Sequence, residues 1–166
     1  MDIHGYERPR HTQSTDGIVL SAIGHQRHME LAGMRVGITF STFDLLHAGH
    51  VQMLREAKSK CDYLIVGLQI DPTVDRAEKN KPIQTVVERY TQLKGVKYVD
   101  EIIPYCTEND VCDILELYDI NIRILGEEYK HKAFTGKEIC QRKGIELYFN
   151  KREHRFSSTD LRTRLK

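Results

Sequence analysis

No run in this chain approaches the ~18 consecutive apolar residues of a membrane span, and the N-terminus lacks the apolar core of a secretory signal. A membrane partner is therefore not expected, and a cytoplasmic location is. Net charge is nearly absent as well. The 25 basic and 24 acidic residues leave +1, which gives no global field for nucleic acid or an anionic bilayer, so any anion site has to be local. Neither a Walker A loop nor a G-x-G-x-x-G turn occurs, which sets kinase and dehydrogenase readings far back. Tryptophan is missing, so intrinsic fluorescence rests on tyrosine. The four cysteines, Cys61, Cys106, Cys112 and Cys140, show no C-x-x-C spacing. In a cytosolic chain they read as buried or half-buried free thiols.

What is present fits one domain with a real core: 166 residues, 40% of them hydrophobic. Residues 1–33 read as a flexible N-terminal extension. They carry His4, His11, His25 and His28, half of the chain's histidines, without sustained periodicity. From Met34 onward apolar runs alternate with helix-period segments. Strands are expected at Arg35–Phe40, Tyr63–Ile70, Val99–Pro104, Asn121–Leu125 and Ile145–Phe149. Helices are expected at His47–Lys60, Val86–Leu93, Asp110–Tyr118, Gly136–Lys143 and from about Thr159. In the first helix Val51, Leu54 and Ala57 form the core stripe, while Arg55 and Lys58 face water. Five strands alternating with helices predict an α/β fold: a Rossmann-like, doubly wound, five-stranded parallel sheet with helices on both faces. Ligands in such a fold bind beyond the carboxyl ends of the strands.

The most informative stretch is Gly37-Ile38-Thr39-Phe40-Ser41-Thr42-Phe43-Asp44-Leu45-Leu46-His47-Ala48-Gly49-His50. It joins a short apolar strand to a helix through a phosphate-shaped turn. His47 and His50 fall on one face of the helix's first turn, where free N–H groups and the dipole favour an anion. Gly49 between them keeps side-chain bulk away from the backbone. Asp44 reads as a turn or cap residue. A second such place is Lys151–Leu161, where Ser157, Ser158 and Thr159 open the last helix and Ser157 with Asp160 forms a variant capping box. Hydroxyls, a helix start and the Arg152 fork suit the outer phosphates of a nucleotide.

The first stretch resembles the HxGH signature of the nucleotidyltransferase superfamily, and T-F-D-L-L-H-A-G-H is similar to its cytidylyltransferase branch, above all the glycerol-3-phosphate cytidylyltransferases. Lys151–Leu161 is similar to the family's R-T-E-G-I-S-T-T, with Arg152 at the arginine and Ser157-Ser158-Thr159 at the hydroxyl triplet. His154 and Arg155 replace the usual Glu-Gly. Lys79-Asn80-Lys81-Pro82 ahead of Glu88-Arg89-Tyr90 resembles the family's lysine loop and E-R pair, and Lys97–Pro104 its R-Y-V-D-E-V-I-P dimer segment. Gly126-Glu127-Glu128-Tyr129 stands where relatives have G-D-D-W. Ser41 stands where relatives usually have Gly, so a turn needing positive φ there would strain it. The resemblance covers about residues 34–166.

It implies transfer of CMP from CTP to a small phosphomonoester, with release of pyrophosphate and formation of a CDP-alcohol. Catalysis would fall to His47, His50, Lys79 and Arg152, with Lys81 as the fallback lysine. The nucleotide would be held by Thr42, Phe43, Gly49, Arg89, Gly126, Glu128, Ser157, Ser158 and Thr159, and the acceptor by Lys81, Tyr129 and Lys132. Mg2+ would accompany CTP, since no all-protein carboxylate cage is visible. A homodimer is expected, without nucleic acid. Glycerol 3-phosphate is the lead acceptor. Lys130, Lys132 and Lys137 around the Gly126–Tyr129 turn would suit an anion, and only Tyr129 and Phe134 are at hand for a quaternary-ammonium cage. The acidic run Thr107-Glu108-Asn109-Asp110-Val111 replaces the lysines that hold the acceptor phosphate in relatives. An adenylyltransferase acting on a sugar or heptose phosphate, and a non-catalytic CTP-binding module, are the rival readings.

Overall fold

The computed structural model describes residues 31–151 and 156–164. The expected extension, apart from residues 31–33, and the Arg152, His154 and Arg155 assignments lie outside them. Strands β1 (Val36–Ser41), β2 (Tyr63–Gln69), β3 (Glu101–Tyr105), β4 (Ile122–Gly126) and β5 (Glu146–Asn150) form one sheet in the order β3-β2-β1-β4-β5. Every neighbouring pair is parallel. The chain winds outward from β1 to β3 and then returns to the other side of β1. The β1/β4 boundary is therefore the switch point, where a crevice opens at the carboxyl ends of the strands.

The strands are continuous apolar runs because both faces are covered. Leu64, Val66 and Leu68 of β2 share a cluster with Leu54 and Ala57 of helix α1 (Ala48–Lys58) and Leu93 of helix α2 (Val86–Lys94). On the other face, α3 (Glu108–Leu117) packs against α4 (Lys137–Lys143), and the backbone at Gly136 lies close to Leu115 and Arg123. In α1 the buried stripe runs through Leu54 and Ala57 with Met53 packed beside them. Val51, expected in that stripe, is exposed on its flank. The first helix starts one residue late because His47 is its N-cap, and α3 starts two residues early under a Thr107/Asp110 capping box. β3 begins at Glu101 rather than Val99, since Asp100 turns its carboxylate back to accept from Leu64 N–H at 2.6 Å. Gly67 sits where a Cβ would fall 2.2 Å from the Phe40 ring. Glycine there lets that ring lie flat across β2. Cys61 and Cys140 are buried and Cys112 half-buried, but Cys106 is exposed.

The turn after β1 sets where everything else sits. Its strain does not fall on Ser41, which ends β1; Phe43 and Leu45 take positive φ, at 50° and 52°. Each costs about 1–2 kcal/mol. The alternation buries the Phe43 ring in the core and directs the Asp44 carboxylate inward. Asp44 accepts from the N–H groups of Ile83 (3.0 Å) and Gln84 (2.9 Å) and pairs with Arg162 at 2.6 Å. Gln84 returns the contact by accepting from Leu45 N–H at 2.8 Å. One carboxylate thus ties the first turn to the loop before α2 and to the last helix, α5 (Ser158–Arg164).

Burial alone would raise the Asp44 pKa, but the hydrogen bonds from Ile83, Gln84 and Arg162 outweigh it and hold the carboxyl below its ordinary value. A depressed folded-state pKa stabilises the fold above the unfolded value, about 3.9, and that stabilisation is lost as pH falls through the folded value. Asp44→Ala, which strands Arg162 and two N–H groups, is expected to cost about 3–5 kcal/mol in urea unfolding. For Asp44→Asn, the stability deficit against the parent should narrow as pH drops below about 4, because asparagine does not titrate there. A deficit independent of pH from 7 to 3 would remove the carboxylate from this role.

Candidate functional site

A cleft of about 770 Å³ lies over the carboxyl ends of the strands. His47, Gly49 and His50 line it from the start of α1, Thr42 and Phe43 from the first turn, and Gly126, Glu128 and Tyr129 from the turn after β4. Ser157, Ser158 and Thr159 line it from the start of α5, and Lys79 from the loop before α2. Twelve of the expected residues are thus gathered from four separate segments.

The two histidines cap their own helix. His47 Nδ1 accepts from Gly49 N–H (3.1 Å) and His50 N–H (3.4 Å), while His50 Nδ1 accepts from His47 N–H at 3.4 Å. This is a capping box in which imidazoles replace the usual hydroxyl and carboxylate. The rings stack with centroids 3.9 Å apart. With Nδ1 accepting, each neutral ring carries its proton on Nε2. The Gly49 and His50 N–H groups, expected to await an anion, are instead taken up by the cap.

At the β5 side, Ser157 Oγ accepts from Asp160 N–H (3.1 Å), as the capping reading expects, and Ser158 Oγ donates to Asp44 C=O (3.0 Å). The Glu128 carboxylate folds over Gly126, where a Cβ would meet it at 2.3 Å. Arg89 does not line the cleft. It is 2% exposed, and its guanidinium donates to the carbonyls of Gln84 (3.1 Å), Thr42 (2.8 Å), Gln69 (2.7 Å) and Ile70 (2.6 Å). Burial lowers its pKa, while Asp44 and Asp71 oppose that. It acts on the cleft by holding the ends of β1 and β2 together rather than by touching a nucleotide. Lys81 and Lys132 are exposed and outside the lining, as are Lys130 and Lys137. The charge of Lys81 falls instead on Asp71.

At the β2–β3 end sequence reasoning singled out only Glu108, within the acidic run Thr107–Val111, and missed the rest. Gln69 and Tyr105 end their strands there, and Arg76, Glu108, Arg123 and Thr135 join them in the lining. Asn150 and Arg162 complete the β5 side. An arginine inside the apolar run Ile122-Arg123-Ile124-Leu125 was the available signal, since a buried cation needs a reason. Arg123 is 5% exposed, donates to Thr135 C=O at 2.6 Å and lies 5.2 Å from both the Phe40 and Phe134 rings.

The sequence and fold have known counterparts. Residues 38–164 match the cytidylyltransferase-like family. The glycerol-3-phosphate cytidylyltransferase of Staphylococcus aureus is 30% identical over 132 residues, covering 80% of this chain and 96% of that one. The bifunctional protein HldE of Nitrobacter hamburgensis is 32% identical over 130 residues, covering 78% of this chain and 26% of that one. The chain therefore spans about a quarter of the length of the HldE relatives it matches. Among solved structures, the lipopolysaccharide core biosynthesis protein of Thermoplasma volcanium superposes with a TM-score of 0.58 at 26% identity, covering 73% of this chain and 100% of that one. Pantothenate synthetase of Thermus thermophilus, at a TM-score of 0.50 and 12% identity over 74% of this chain and 58% of that one, shares the fold alone. A five-stranded parallel sheet and a family match over most of its length make this chain a member of the cytidylyltransferase-like family.

Proposed function

We propose that the enzyme transfers CMP from CTP to a small phosphomonoester, releasing pyrophosphate. The observation that carries this reading is the gathering of the two capping imidazoles, Lys79 and the hydroxyls of α5 in one cleft. An oxygen of the acceptor phosphate attacks the α-phosphorus in line; that P–O bond forms as the bond to the β-phosphate breaks, and pyrophosphate leaves. With a second pKa near ~6 the acceptor is already mostly dianionic at neutral pH, so a general base adds little. What the protein supplies is placement and positive charge. His47 and His50 donate to the α-phosphate and the leaving group, and Lys79, with Arg152 as the sequence assigns it, neutralises the outer phosphates.

Magnesium belongs to this reading as part of the substrate, carried on the triphosphate. Among the described residues no group of three or more His, Cys, Asp or Glu side chains is placed to hold an ion, and Asp44 already has three donors. Asn150 speaks to the base. It is 5% exposed at the cleft wall, its amide donates to Met53 C=O at 3.3 Å, and its Oδ1 has no protein partner. An exocyclic amino group, present on cytosine and absent from uracil, is the complement of that acceptor. Glu128 adds a second acceptor nearby. A homodimer and a cytoplasmic site of action are part of the same proposal; among the described residues no helix is long and apolar enough to cross a membrane.

Adenylyl transfer to a sugar phosphate is the second reading. It is favoured by likeness to a protein of lipopolysaccharide core biosynthesis, a saccharide-building process, and adenine also offers an amino group. Pyrophosphate release across four nucleotides separates the two. CTP should exceed ATP by at least tenfold in kcat/KM, about 1.4 kcal/mol, and UTP should be poorer still; preference for ATP overturns the cytidylyl reading.

His50→Ala is expected to lower kcat by about 10²–10³, as loss of one preorganised donor does. Its cost in stability should stay within about 0.5–2 kcal/mol, the worth of a cap. A variant that keeps more than half the parent kcat while losing stability would leave His50 a cap alone. Lys79→Ala should damage turnover far more than Lys81→Ala, because only the first lines the cleft. The reverse order would move the role to Lys81.

A further inference from the structure

Lys79 reaches the cleft from a stretch with little packing of its own. Residues 77–81 are all exposed, and a loop of that kind samples many conformations unless its ends are fixed. The far end is fixed at Asp44, which accepts from the N–H groups of Ile83 and Gln84. The near end is fixed by Arg76. Its guanidinium donates to Gln69 Oε1 at 2.9 Å and pairs with Glu108 at 3.0 Å, so it bridges the carboxyl end of β2 and the start of α3. Asp75 adds a second tie by accepting from Glu108 N–H at 2.6 Å. The clamp passes directly to the lysine, because Lys79 N–H donates to Arg76 C=O at 2.9 Å.

The anchors are themselves fixed. Gln69 is 2% exposed at the end of β2, and Glu108 is the first residue of α3, held at its other oxygen by the Thr135 hydroxyl. A guanidinium set between a buried amide and a carboxylate is a two-ended brace, since its planar fork reaches both in one geometry. Arg76 lines the cleft and its Nε is buried without a protein partner, so direct contact with a substrate is the competing role. Against that role, the charge of Arg76 is already met by Glu108, which would also repel a phosphate brought to the same place. The phosphate charge is then left to Lys79, and the brace to Arg76.

Resting on the transfer reading above, we propose that Arg76 is a positioning residue: braced by Gln69 and Glu108, it fixes the root of the lysine loop and thereby sets Lys79 against the outer phosphates of the nucleotide. Freeing the root leaves Lys79 present but unplaced, and a donor that must be ordered during the reaction loses much of its effect. The role entails dependence. Removal of Arg76 costs turnover only through Lys79, and it leaves the binding of the acceptor unaltered.

The test is a double-mutant cycle of Arg76→Gln and Lys79→Ala, read by pyrophosphate release from CTP with glycerol 3-phosphate, or from ATP with heptose 1-phosphate where that pair turns over better. Arg76→Gln should lower kcat about tenfold or more in the parent and less than about twofold in the Lys79→Ala background, with KM for the phosphomonoester changed less than about twofold. A tenfold loss in both backgrounds, or a KM for the ester raised about fivefold or more, would make Arg76 a substrate ligand and overturn the proposal. A loss below about twofold in the parent overturns it as well. Glu108→Gln keeps the Arg76 side chain and breaks only its charge pair; it should lower kcat about threefold or more in the parent and leave Lys79→Ala unchanged, and it decides the matter if Arg76→Gln does not fold. Amide exchange followed by mass spectrometry reads the clamp without substrate. Residues 77–81 should exchange about fivefold faster or more in Arg76→Gln, with β1 and β2 unchanged; unchanged exchange at 77–81 overturns the proposal. If neither pair releases pyrophosphate, the transfer reading fails on its own, and the cycle is read from calorimetric binding of the non-hydrolysable α,β-methylene analogues of CTP and ATP. Arg76→Gln should then weaken binding about fivefold or more in the parent and less than about twofold beside Lys79→Ala. Equal weakening in both backgrounds, or no binding of either analogue, overturns the proposal.

Discussion

The carboxylate of Asp44 is the constraint on which the site depends. Its two oxygens hold together segments about 40 and 118 residues apart in sequence, through the N–H groups of Ile83 and Gln84 and the guanidinium of Arg162. To reach that position the chain passes through two left-handed residues, Phe43 and Leu45, at a combined cost of roughly 2–4 kcal/mol. Burying the Phe43 ring contributes about 1.5–3 kcal/mol. Charge-assisted hydrogen bonds contribute about 1.5–3 kcal/mol each. The gains outrun the strain, so the turn is held in a conformation that its own sequence would not choose.

Arg89 completes the arrangement from the opposite sign. Its guanidinium lies under the same turn and donates to carbonyls at the ends of β1 and β2 that the sheet leaves unpaired. Its charge and that of Asp44 stabilise one another, so the buried cation and anion are balanced without direct contact being needed. The carboxyl ends of two central strands are thereby fixed, and Thr42, Phe43 and the α1 start are presented from a rigid base. Catalysis by placement requires such rigidity, because about an ångström of misplacement costs orders of magnitude in rate.

Local pattern made much of this legible. The five strands, the parallel alternation and the His47/His50 pair rest on contacts within a few residues, which periodicity and spacing read directly. Arg89 was legible as a position but not as a role, since the carbonyls it serves at Thr42 and Gln69 lie 47 and 20 residues away. The strain expected at Ser41 fell two and four residues later, because β1 runs through Ser41 and the turn begins only after it. Val51 misled because the stripe of α1 is narrow and passes through Met53 and Leu54. The β2–β3 end was illegible for a different reason: its groups come from four strands or helices and two loops, and no single window contains more than two of them. Lys130 and Lys132, expected to suit the acceptor anion, are carried to the surface by residues 130–133, all exposed, before Phe134 and Thr135 turn back to the cleft, and Lys137 is exposed beyond them.

The histidine cap explains why imidazole suits the helix start better than serine or aspartate. Serine or aspartate would satisfy the Gly49 and His50 N–H groups equally well, but either uses its oxygen for the backbone and offers an anionic ligand only a lone hydroxyl proton or a repelling charge. Imidazole has two nitrogens on opposite edges of a rigid ring. When Nδ1 is held by the backbone, the tautomer is settled and Nε2–H points away from the helix at a fixed angle. The fold thus closes the helix terminus and fixes the orientation of both rings with one hydrogen-bonding pattern, without a separate scaffold to aim them.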